Sequence, residues 1–162
     1  MNDQQQLCVK MVLDAWTKEI GATNALLEKL SDEQLMQEVS PTRNRGVYLL
    51  GHLTAEQDEM LSLLRFQEAM YPELMPMFMD APDKTVATLP SILQLRAQWK
   101  TVNDTLMGHL NALPAEEWFT RHPSISDENF LKEPHRDRLN VSISRTSHLA
   151  YHRGQLVLLE GK

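Results

Sequence analysis

Val9, Leu13, Trp16, Ile20, Thr23, Leu27 and Leu30 follow one another at intervals of 4-3-4-3-4-3, and only Thr23 among them is polar. That rhythm puts all of them on one face of a helix, and an apolar face must be covered by other helices. A second stripe, Ile92, Leu95, Trp99, Val102, Leu106, His109 and Leu113, repeats at 3-4-3-4-3-4 behind Ser91, a residue suited to cap it. Two helices striped in this way call for a bundle.

Between the stripes, Leu49, Leu53, Met60, Leu63 and Leu64 form a third apolar arc on a helix read from residue 44 to 70, with Asn44 or Thr42 as its cap and Tyr71-Pro72 as its stop. A fourth helix covers 140 to 160. Ser31-Asp-Glu-Gln34 has the form of a capping box and predicts a short helical turn after the first helix. The prolines at 72, 76, 82 and 90 break any continuous helix in the first long connection, and residues 114 to 139 make a second. The expected fold is all-α, a four-helix bundle with long connecting loops over 6–30, 44–70, 91–113 and 140–160, in one domain spanning 1–162. Connections of this length permit crossovers, so simple up-down order does not follow.

The net charge of −6 and pI near 5.5, with no Lys/Arg cluster, argue against a nucleic-acid partner. No segment approaches the length of an apolar membrane span, and the polar N-terminus carries no leader, so a cytoplasmic protein is expected. Cys8 is the single cysteine, which excludes an internal disulfide and a Cys-rich zinc site. Near a helix start and without partner spacing, it reads as packing rather than as a nucleophile.

The chemistry gathers in the last helix. Val141, His148, His152 and Leu159 fall on one narrow arc, so both imidazoles point where the apolar side chains point. An i, i+4 histidine pair can converge on one ion, or it can be two hydrogen-bonded core or edge histidines. Glu56 lies inside the third apolar arc with His52 at its edge, and a carboxylate there needs a partner: an arginine such as Arg145, or a functional role. His109 reads as a satisfied core or edge histidine, and the loop residues His122 and His135 as surface groups. Tyr151 and Arg153 face away from the His148 arc, toward the bundle edge or a partner.

A weak internal echo ties the halves together. Leu27-Glu-Lys-Leu-Ser-Asp-Glu-Gln-Leu35 is similar to Leu110-Asn-Ala-Leu-Pro-Ala-Glu-Glu-Trp118, and each precedes a helix carrying Gly51-His52-Leu53 or Ser147-His148-Leu149. The alignment sets Glu56 opposite His152 and predicts that His52 and His148 face each other.

Gly51-His52-Leu53 together with Ser147-His148-Leu149-Ala-Tyr151-His152-Arg153-Gly154-Gln155-Leu156 resembles the DinB-like superfamily of small four-helix-bundle proteins, over the whole chain in length and helix order. The final H-x-x-x-H-R-G-Q-L is the most specific part. The resemblance implies three histidines holding a divalent metal ion, at His52, His148 and His152, with nickel, zinc, iron and manganese all compatible. It also implies kinship with metal-dependent thiol transferases, which join low-molecular-weight thiols to electrophiles. Glu56 is not carried over as a ligand.

Three neutral imidazoles leave positions on a metal where a water or thiol loses its proton more readily. On this reading Glu56 accepts a proton or orients water, Arg145 holds an anionic part of a small-molecule substrate, and Gln155 bonds a ligand or orients His152. The competing readings are a metal-dependent hydrolase and a non-catalytic metal-binding or interaction module. A homodimer is the expected assembly.

Overall fold

The computed structural model describes residues 3–162, so Met1 and Asn2 of the polar N-terminus lie outside the described residues. Four long helices carry the architecture: α1 (Asp3–Lys29), α3 (Gly46–Leu63), α5 (Ile92–Ala112) and α7 (Arg138–Leu156). Three short ones, α2 (Asp32–Leu35), α4 (Leu74–Phe78) and α6 (Asp127–Lys132), lie in the connections, and no β-strand forms among the described residues.

The helix starts follow the caps. Ser31 and Ser91 each accept from the backbone N–H of the third residue on, Gln34 and Gln94, whose side chains return the bond to the cap N–H. Asp137 caps α7 by accepting from Asn140 N at 2.9 Å, so α7 begins at Arg138 rather than at 140. Its C-terminal end tightens into a 3-10 turn at Val157–Leu159.

The expected helix over 44–70 is shorter than its pattern. Its N-cap is Arg45, with no side-chain cap bond; Thr42 sits in the preceding turn at φ 66 and Asn44 is not the cap. Its C-terminus is reached at Leu63 because Arg65 enters the left-handed region at φ 58. The Asp58 carboxylate then accepts from Met70 N and Tyr71 N at 2.8 and 2.7 Å, which folds the chain back over the helix. The connection that follows is not structureless, since Pro76 occupies the first turn of α4, where its missing N–H costs nothing.

Contacts fix the topology. Glu19 pairs with Arg153, and Gln34 donates to Leu159 O at 3.0 Å, so α1 and α7 run parallel as neighbours. Gly46 packs on Leu159 and Glu56 on Arg145, so α3 is antiparallel to α7. Asn24 with Trp99 and Thr17 with Met107 make α5 antiparallel to α1. It follows that α3 and α5 are parallel neighbours, joined by a crossover over residues 64–91 that returns along the bundle.

The two halves, α1 to α3 and α5 to α7, are each antiparallel, and Leu35 and Trp118, aligned by the sequence echo, are both fully buried. The core is built from Trp16, Leu49, Leu53, Met60, Leu95 and Leu149, all without solvent exposure. Covered by α5, α7 and the crossover, α3 is buried on almost every side, which accounts for its weak amphipathic contrast. Among the described residues, no helix is long and apolar enough to cross a membrane.

Candidate metal centre

His52 from α3 and His148 and His152 from α7 meet where these antiparallel helices pack. Their ring centroids lie 5.3 Å (His52–His148), 4.8 Å (His52–His152) and 4.4 Å (His148–His152) apart. One nitrogen from each falls within 4.8 Å of the others. Antiparallel packing is what brings residue 52 level with 148 and 152, as Glu56 is brought level with Arg145.

Each ring is held from outside through Nδ1. His52 Nδ1 donates to the main-chain carbonyl of Phe78 at 2.9 Å, His152 Nδ1 donates to Gln155 Oε1 at 2.8 Å, and His148 Nδ1 donates to Glu56 Oε2. All three partners are oxygen acceptors, so the Nδ1 positions carry the protons and the Nε2 lone pairs are left bare. His52 Nε2 is buried with no hydrogen-bond partner. His148 Nε2 and His152 Nε2 face each other at 2.9 Å, two acceptors that only a proton or a cation between them reconciles. An orphaned buried nitrogen beside two opposed lone pairs is the donor set a divalent metal takes.

Electrostatics support neutral ligands. Burial pushes the His152 imidazole down to about 4, against the opposing hydrogen bond to Gln155, which keeps the ring neutral at physiological pH. Burial alone would raise the Glu56 carboxyl, but the His148 hydrogen bond and the Arg145 charge outweigh it and hold Glu56 below its ordinary range.

Glu56 therefore has both oxygens engaged, Oε1 with Arg145 Nη1 and Oε2 with His148, so in space it meets His148 rather than His152, its counterpart in the echo. Arg145 reaches a second carboxylate, Glu59 Oε2, at 2.6 Å. Gln155 touches the centre only through His152. The Tyr151 ring stands edge-on to His152 with centroids 5.0 Å apart, closer to the centre than its helical position suggested, while Arg153 ties α7 to Glu19 of α1. His109 stacks on Phe66 and bonds Gln67, well away from the centre. His122, expected at the surface, is buried instead, with its ring pushed down by that burial; His135 is exposed. Cys8 is exposed on α1 rather than packed.

Two contributors carried no signal that the pattern reading used. The Phe78 carbonyl is a main-chain atom, so no side chain announces it; the hint was Gly51 beside His52, since a glycine inside a helix often marks a close approach. Gly51 admits the Phe78 ring so closely that an added Cβ would lie 2.3 Å from Cε1. Glu59 stands one turn beyond Glu56, and nothing in its spacing announces that it shares Arg145.

A sequence model of the DinB superfamily matches residues 15–156. Among solved structures, a conserved protein from Enterococcus faecalis superposes with a TM-score of 0.65 at 15% identity, covering 93% of this chain and 94% of that one. At that identity the likeness concerns the fold. No curated protein matches the chain significantly.

Proposed function

The chain belongs to the DinB superfamily, and from that premise we propose that it is a metal-dependent enzyme, an S-transferase that joins a low-molecular-weight thiol to a small electrophile. One observation carries the reading: three half-buried imidazoles turn bare Nε2 atoms toward one another while every Nδ1 proton is held by an oxygen behind it. Family membership and this cluster fit a metal-binding protein.

A divalent ion held by three imidazoles supplies open coordination positions and lowers the pKa of a thiol or water presented to it. Phe78 O, Glu56 and Gln155 fix which ring nitrogen carries the proton and so aim the lone pairs. Glu56, kept ionised, strengthens His148 as a donor. Arg145, shared between Glu56 and Glu59, neutralises that carboxylate pair and acts through Glu56. The half-exposed His148 leaves the centre open to a substrate.

Elemental mass spectrometry on untagged protein, beside His52→Ala and His148→Ala, tests the centre. Near-stoichiometric metal lost in both variants supports it, and metal-free parent protein that cannot be loaded sinks it. The loaded protein is then assayed for loss of a thiol such as cysteine or glutathione in the presence of a chloronitrobenzene. Thiol consumption that disappears in His148→Ala supports the transferase; ester or amide hydrolysis without it moves the reading to a hydrolase, and neither leaves a metal-binding module. Light scattering checks the accompanying homodimer.

A further inference from the structure

On the α1/α5 side of the bundle, away from the three histidines, the helices approach each other less closely and leave a groove of about 460 Å³, within the range of small-molecule pockets, roughly 300–1,000 Å³. Its apolar walls are Ile20, Leu27, Trp99 and Met107. The Trp99 indole, 4% exposed, is pinned in the groove wall by its Nε1 donating to Asn24 Oδ1 at 2.7 Å.

Two observations point to an occupant. Asn103 lines the groove and is 4% exposed; its amide nitrogen donates to Trp99 O at 2.8 Å, which leaves Oδ1 buried as an acceptor with no partner among the described residues. A buried acceptor left unanswered is costly, and a ligand donor would answer it. Gly21, in the middle of α1, lines the same groove, and a Cβ there would meet nothing within 4 Å. Neither packing nor backbone conformation requires this glycine, which weakens the helix relative to alanine, and its missing side chain leaves that stretch of the groove wall uncovered.

The charges at the rim narrow the ligand. Among the described residues lining the groove, Lys100 pairs with Asp104 and Arg96 donates to the carbonyls of Leu27 and Leu30 at the end of α1, so each cation there already has an acceptor. The exposed Glu28 carboxylate adds a second acceptor. We propose that this groove is a second binding site, for a flat, uncharged aromatic molecule that packs among Leu27, Trp99 and Met107 and donates an N–H or O–H to Asn103 Oδ1. The site stands independently of the metal centre.

The test uses 4-fluorophenol and 4-fluoroanisole, which differ in the donor, observed by fluorine NMR with the full-length protein. The phenol is expected to broaden and shift with protein and to bind about three- to tenfold more tightly than the ether, the worth of one hydrogen bond. Gly21→Leu fills the groove and strengthens the helix, so it is expected to abolish binding with metal content unchanged. Absence of phenol binding, equal binding of both probes, or undiminished binding to Gly21→Leu would each overturn the proposal. So would a dimer that Gly21→Leu dissociates, because the groove then belongs to a second copy of the chain.

Discussion

Gly51 lies against the ring of Phe78 so closely that a methyl group there would stand 2.3 Å from Cε1, and the carbonyl of that same Phe78 accepts the Nδ1 proton of His52, the next residue along α3. Phe78 O also accepts from Tyr48 OH at 3.1 Å. The crossover is thus docked on α3 by a contact that simultaneously aims a candidate metal ligand. Gly51→Ala should overpack this contact at a cost of about 1–3 kcal/mol, and should weaken metal binding by about tenfold through the displaced carbonyl. Urea denaturation and a competitive chelator titration read the two effects separately. Lost stability with unchanged metal affinity would show that the carbonyl does not position His52.

Glu56 is the next point of leverage. With one oxygen on His148 and the other on Arg145, it supports the centre from behind. Glu56→Gln keeps the shape but removes the charge that strengthens His148, so metal affinity is expected to fall about 10- to 100-fold. Glu59 still holds Arg145 at 2.6 Å, which should let the variant fold. Isothermal titration with zinc or nickel measures the change. Unchanged affinity with lost turnover would make Glu56 a proton acceptor in the reaction instead.

Metal removal offers a third check. A ligand that binds only the folded chain, at a hundred times its Kd, adds about 2.7 kcal/mol, which for a domain of this size raises Tm by about 5–10 °C. Chelator-treated protein should melt lower by that amount and recover on reloading, whereas His148→Ala should show no metal response. A metal-induced rise that persists in His148→Ala would place the ion elsewhere.

How far the sequence led can be read from single residues. Ser31 and Ser91 were legible as caps because a capping box is local, three residues long and independent of the rest of the fold. The stripes of α1 and α5 were legible because each helix has a wet face to contrast with its dry one. Less could be read from α3, which is buried nearly all round: its apolar arc continued to Leu64, while the stop was set by Arg65 entering the left-handed region and by Asp58 catching the backbone of residues 70 and 71. The H-x-x-x-H spacing located His148 and His152, and the internal echo brought His52 toward them. What spacing cannot show is a main-chain acceptor such as Phe78 O, or that antiparallel packing sets Glu56 beside His148 rather than His152.

The same crossover is fastened at a second point, and this one titrates. Arg45 donates its backbone N–H to Asp83 Oδ2 at 2.8 Å and its guanidinium to Oδ1 at 2.6 Å, joining the start of α3 to the far part of the crossover. Burial pushes the Asp83 carboxyl up, but the Arg45 hydrogen bonds and charge outweigh it, so its folded pKa lies below the ordinary value. The folded chain then binds fewer protons than the unfolded one in the window between those two values, and stability rises with pH there. This contribution is complete above the unfolded value of about 4 and disappears as pH falls through the lower folded one. Asp83→Asn should therefore lower the urea midpoint at neutral pH and flatten the acid limb, the two proteins converging as pH falls below the depressed folded value of Asp83. Urea titrations from neutral pH downward measure it; parallel curves for the two proteins would mean that the Arg45–Asp83 contact carries no net stability.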